Sequence, residues 1–153
     1  MSANSQSGKT FWISTTAANT DLDDHATNGF PGKTYTQVGS VGKYGETGIS
    51  TNVLTYPTLD ETVTQKAKGM TNAGDPQIEC ARVAADAGQV AMRAAGAPGV
   101  TNAYAFKTVD QDGTIHYNRG LVMGPTRPGG GNEDFELEVF TLALVQAEIV
   151  VNP

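Results

Sequence analysis

Gly8-Lys9-Thr10 completes the last three positions of a phosphate-binding loop, but Ala3 stands where its first glycine belongs. Such a loop also follows a strand and opens a helix. Here only a small polar tail precedes the motif, and the β-prone "TFWIST" (10–15) follows it. Asp21, Asp23 and Asp24 cluster as calcium ligands can, yet the EF-hand spacing and its distal glutamate are missing, which leaves a solvated acidic loop. His25 and His116 are the only histidines, and neither has metal-ligand spacing to a second donor, so hydrogen-bonded or solvent-facing roles are expected. Glu136 and Glu138 could be the paired acids of glycoside hydrolysis, but positions i and i+2 of a strand merely share one face. No G-x-S-x-G elbow is present, and Cys80, the only cysteine, has no local nucleophile signature and is expected to be a small core residue. The reading is therefore of a non-enzyme with no catalytic, cofactor-binding or metal-binding residue and no cofactor.

Composition and patterning set the elements that would position functional side chains. The 153 residues correspond to about one domain. A net charge of −6 argues against binding DNA through its phosphates. One cysteine allows no internal disulfide and suits a reducing cytosol, and no apolar run approaches the roughly 18–20 residues of a membrane span. Eighteen glycines and seven prolines, with many Thr, Val and Ala, favour strands and turns, so the expected class is mainly β.

Residues 1–9 read as a mobile polar arm ahead of a domain at 10–153. Residues 17–32 read as a surface loop. "KTYTQVGSVGKYGETGISTNVLTY", with Gly39, Gly42, Gly45 and Gly48 at three-residue intervals, reads as one long, bent strand. Residues 57–74 lack a compact apolar face and read as a long extended loop, a candidate for contact with another subunit. "DPQIECARV" alternates, with Ile78 and Cys80 on one face and Gln77 and Glu79 on the other. A helix over about 86–96 is predicted from Asp86 and Gln89 at capping-box spacing, an apolar stripe of Ala87, Val90, Ala91, Ala94 and Ala95, and the stop at Gly96 and Pro98. Three strands follow, "NAYAFKTV", "TIHYNRGLVM" and "FELEVFTLALV", the first two joined by a hairpin at Asp112-Gly113. "GPTRPGGGN" (124–132) reads as a flexible connection.

Taken in order, the arm, the glycine-marked "QVGSVGKYGETG", the "YPTLDETVTQKAKG" loop, the strand and helix of "DPQIECARVAADAGQVAMRAAGA" and the final "DGTIHYNRGLVMG" resemble the major tail tube proteins of long, non-contractile-tailed bacteriophages, the family of the phage lambda major tail protein. The resemblance spans roughly residues 10–145. It implies a β-sandwich with one flanking helix, built as hexameric rings that stack into a hollow virion tail tube assembled in the host cytoplasm. It also implies an inter-ring loop at about 56–74 (Tyr56, Pro57, Leu59, Asp60, Glu61, Gln65, Lys66 and Lys68) and an arm (Ser5, Gln6, Ser7 and Lys9) that orders on stacking, with GKT as hinge.

By the family's strand order, Gln77, Glu79, Asn118, Glu136 and Glu138 are candidates to face the lumen. The implied partners are further copies of the chain, tape-measure protein, tail chaperones, tail terminator and distal tail protein. Genomic DNA would pass without specific binding, helped by the acidic charge, and no membrane is involved. Many family members carry a C-terminal immunoglobulin-like domain; with the chain ending at Pro153, a bare tube surface is expected. A terminator or completion ring, and more distantly a ligand-binding β-sandwich, stay open as alternatives.

Overall fold

Alternation of buried and half-buried side chains organises most of this chain. β9 (Leu137–Leu144) buries every second residue, so its period of two places Glu138, Phe140, Leu142 and Leu144 on one inward face. The computed structural model describes residues 3, 5–60 and 62–153. The other strands are β1 (Thr10–Ala17), β2 (Tyr35–Val38), β3 (Val41–Tyr44), β4 (Ser50–Tyr56), β5 (Gln65–Asn72), β6 (Gln77–Ala81), β7 (Tyr104–Val109), β8 (Ile115–Thr126) and β10 (Ile149–Val151), with one α-helix, α1 (Ala87–Ala95). An eight-stranded antiparallel sheet runs β2-β1-β7-β8-β9-β6-β3, with β10 pairing the start of β8. The mainly β class is therefore as expected.

The sheet curls until its two ends meet. Phe11 of β1 stacks on Phe106 at 5.7 Å and also meets Tyr44 of β3 edge-on at 6.4 Å, although β1 and β3 lie far apart in strand order. The Tyr44 hydroxyl donates to the Lys9 carbonyl at 3.0 Å, fastening the same closure. Phe11, Ile13, Phe106, Phe140 and Leu142 fill the interior with Met92 of the helix. A second cluster on the other face stacks Phe30 on Tyr117 at 5.1 Å. Residues 17–32 are thus more than a surface loop: Asp21, Asp23 and Asp24 are exposed, but Ala18 and Phe30 are buried as a cover for that face. Arg119, also buried, donates to the Ala18 carbonyl and to Asp21, tying the cover down.

The helix starts where expected but buries a different face. Asp86 caps it, accepting from Gln89 N–H at 3.0 Å and from Gly39 N–H at 3.0 Å. The buried positions are Gly88, Gln89, Met92 and Ala95, whereas Ala87, Val90 and Ala94 of the expected stripe are exposed. Two contacts explain the rotation. Gly88 sits on the Gln37 carbonyl so closely that a Cβ there would lie 2.0 Å away, so only glycine permits the approach. Gln89 is not the reciprocal half of a capping box. Its Nε2 donates to the carbonyls of Gly39 and Ala81, and its Oε1 accepts from Val83 N–H and from Arg93. A fully satisfied amide can be buried where apolar patterning would exclude it.

Two further expectations need correction. The long bent strand is three strands, because Ser40 at φ 58 turns the chain between β2 and β3. Residues 57–74 are not one extended loop, since β5 occupies Gln65–Asn72 and pairs antiparallel with β4. β8 runs on to Thr126, into the expected flexible connection, whereas the Asp112-Gly113 hairpin forms with Gly113 at φ 94.

Candidate assembly interface

β4 and β5 form a two-stranded ribbon outside the main sheet. Its register shows where it comes from. Tyr44 pairs with Ile78 between β3 and β6, and Ser50 pairs with Asn72 between β4 and β5; both pairs of residue numbers add to 122. The ribbon is therefore the outer half of one long hairpin whose inner half, β3 and β6, lies in the sheet. Glycine-containing stretches at 45–49 and 73–76 interrupt it.

Nothing in the ribbon is fully buried. Leu54 and Tyr56 lie on one face opposite Ala67 and Gln65, and Val53 and Thr55 on the other face opposite Lys68 and Lys66. The ribbon thus has one largely apolar face and one basic face. At the connection between its strands, Leu59 is 108% exposed, and Met70 on β5 is 83% exposed. A lone two-stranded ribbon is marginal in water, and a contiguous set of exposed apolar side chains marks an interaction surface. Tyr56, Pro57, Leu59, Asp60, Gln65, Lys66 and Lys68 all fall on this hairpin; Glu61 lies outside the described residues.

The arm residues Ser5, Gln6, Ser7 and Lys9 form a turn that meets the body through Lys9. Ser7 N–H donates to Ser5 Oγ at 3.3 Å, and Lys9 Nζ donates to Gln6 Oε1 at 2.9 Å. Lys9 Nζ also lies 3.6 Å from Asp110 and 5.3 Å from the centre of the Tyr44 ring. Gly8 bends the backbone there at φ 79. Residues 1, 2 and 4 lie outside the described residues.

The five lumen candidates divide. Gln77 and Glu136 are exposed and Glu79 half-exposed. Asn118 is 4% exposed and Glu138 0% exposed, so neither presents a side chain to solvent in the chain. Asn118 faces inward because it pairs with Phe106 across β7 and β8, beside a cavity of about 60 Å³, where its Oδ1 has no hydrogen-bond partner. Nor do Glu136 and Glu138 form a polar strand face: Glu136 precedes β9, and Glu138 points into the core.

What makes a buried Glu138 tolerable is a group of arginines that spacing alone did not suggest. Arg93 of the helix contacts Glu138 Oε1 through both Nε, at 2.9 Å, and Nη2, at 2.7 Å. Arg127 donates to Oε2 at 3.2 Å, and Arg82 Nε lies 3.9 Å from Oε1. Burial would raise the Glu138 pKa, but the hydrogen bond from Arg93 and the charges of Arg93, Arg127 and Arg82 outweigh it and hold the carboxyl below its ordinary value. The Arg93 pKa is raised in turn, chiefly by the same hydrogen bond. The one available signal was Gln89 and Arg93 at i and i+4 on the helix, four residues being one face.

The remaining candidate chemistry is structural. Cys80 is buried, and burial pushes its thiol pKa up to about 11, away from a reactive thiolate. His116 Nε2 lies 2.8 Å from Asp110, and Nδ1 3.5 Å from Glu148. Among the described residues no group of three His, Cys, Asp or Glu side chains is placed to hold a metal ion, and no helix is long and apolar enough to cross a membrane.

No family model and no curated protein matches this chain by sequence. Among solved structures, its fold is similar to that of a chain in the cryo-EM structure of the anti-feeding prophage (AFP) baseplate, 6-fold symmetrised. The TM-score is 0.68 at 10% identity, over 99% of this chain and 98% of that chain. At that identity the likeness is one of fold.

Proposed function

We propose that this chain is a structural protein of a phage-type tail, which forms sixfold rings that stack into a hollow tube. The observation that carries the reading is the β4–β5 ribbon: a stable sheet body extends a hairpin with exposed apolar side chains that no part of the described chain covers. End-to-end similarity of fold to a chain from a 6-fold symmetrised assembly supports the symmetry. In this reading the ribbon and the arm contact the next ring. Gln77, Glu79 and Glu136 remain the lumen candidates, where carboxylates discourage phosphate from sticking. Tape-measure, chaperone, terminator and distal tail proteins are the expected partners, and the virion tail the location.

Negative-stain electron microscopy of the concentrated full-length protein tests this. Rings with a central channel, stacking into tubes, are expected. Rings that never stack would replace the tube reading by the terminator alternative, and dispersed single subunits at high concentration would overturn both.

A further inference from the structure

We infer that the tip of the ribbon in one copy docks on the arginine cluster around Glu138 in a second copy. The inference rests on the stacking reading above and adds the receiving surface. Along the interrupted long hairpin, the 57–64 connection lies at one end, while Arg82 follows directly on β6 at the other. A contact between opposite ends of identical subunits is head-to-tail, and such contacts repeat without closing, as a stack requires.

Among the described residues, Arg82, Arg93 and Arg127 face two carboxylates, Glu136 and Glu138. Arg82 reaches both at 3.8 and 3.9 Å, beyond hydrogen-bond length, and half-exposed Arg127 makes one bond to Glu138, so donors of both guanidiniums have no partner among the described residues. Two other carboxylates near this end, Asp86 and Asp134, are engaged internally: Asp86 caps the helix, and Asp134 accepts from Gly131 N–H at 2.8 Å. Phe135 is exposed nearby, just ahead of Glu136. An aromatic ring beside under-used arginines is the composition of an interface anchor. The tip offers the complement, Leu59 for Phe135 and Asp60 for Arg82 or Arg127. Sixfold repetition would multiply a weak single contact.

Charge reversal provides the test. Asp60→Arg or Arg127→Glu alone should cut tube yield by about tenfold or more in sedimentation and microscopy, and the two together should restore it. Asp60→Arg should melt like the parent, whereas Arg127→Glu sets a carboxylate against buried Glu138 and should melt lower, so tube yield is compared at a temperature where all three variants are folded. A second arm leaves the charges intact: Leu59→Cys with Phe135→Cys, oxidised after assembly, should give a covalent ladder at multiples of the subunit mass. Normal tubes from both reversals, or tubes without a ladder, would overturn the docking while leaving the stacking reading in place. Failure of the parent protein to form rings or tubes would remove that reading itself.

Discussion

β9 and β5 are both eight residues long, yet β9 buries alternate side chains between two neighbours, and β5 buries none fully and pairs with β4 alone. Burial at roughly 25 cal/mol per Å² of apolar surface holds the first in place. The second gains almost nothing of that kind within the chain, so its register is carried over from the stem in the sheet. Residues selected for the body and residues selected for the ribbon should therefore fail in different assays.

The largest expected effect is on the body. Phe140→Ala opens a cavity in the packed interior and should cost about 3–5 kcal/mol, read by denaturant unfolding. Replacing 50–72 by a short Gly-Ser turn should leave the melting temperature within about 2 °C while abolishing tubes. Equal loss of stability from that deletion would break the division between the two regions.

Glu138→Gln comes next, at about 3 kcal/mol near neutral pH, because it removes one partner from a buried ion cluster. The folded-state pKa of Glu138 lies below its ordinary value of 4.5. Its contribution is thus complete above that value and disappears as pH falls through the folded one. The stability gap between parent and variant should close over the same acidic range. A gap that stays constant in acid-unfolding curves would show that packing, not charge, sets the cost.

Gln89→Ala should cost about 1–3 kcal/mol for each buried backbone group left without a partner, measured by thermal melting. The smallest effect is a gain. Asn118→Leu removes an unpartnered acceptor beside the cavity and should stabilise by about 1 kcal/mol with no change in assembly. A loss of tubes with unchanged stability would instead return Asn118 to the assembly surface.

The alternation of Ile78 and Cys80 against Gln77 and Glu79 and the Asp112-Gly113 turn were legible in the sequence because short-range patterns set them. Asp86 was legible as a cap for the same reason. β4 was read as strand, but its partner β5 was not: strand periodicity reports one wet and one dry face, and a strand with no dry face looks like a loop. Glu138 and Gln89 misled for a related reason. Each is polar by type but satisfied by groups that only the fold brings near, from Arg127 to the Ala81 carbonyl. β10 was missed as a three-residue strand with few positions to show any period.

The shared register of the long hairpin has a mechanical side. Tension applied at the tip along the hairpin would pass straight into β6, which is held to β9 by five paired residues from Gln77 to Ala81. That ladder would be loaded in shear, so its bonds resist together instead of opening one after another. A subunit pulled by its neighbour would yield first at the interruptions, where Gly48 and Gly74 have positive φ and 45–49 and 73–76 can straighten. The ribbon would then act as a short compliant tether on a stiff body, letting a stack of such subunits bend without breaking its sheets.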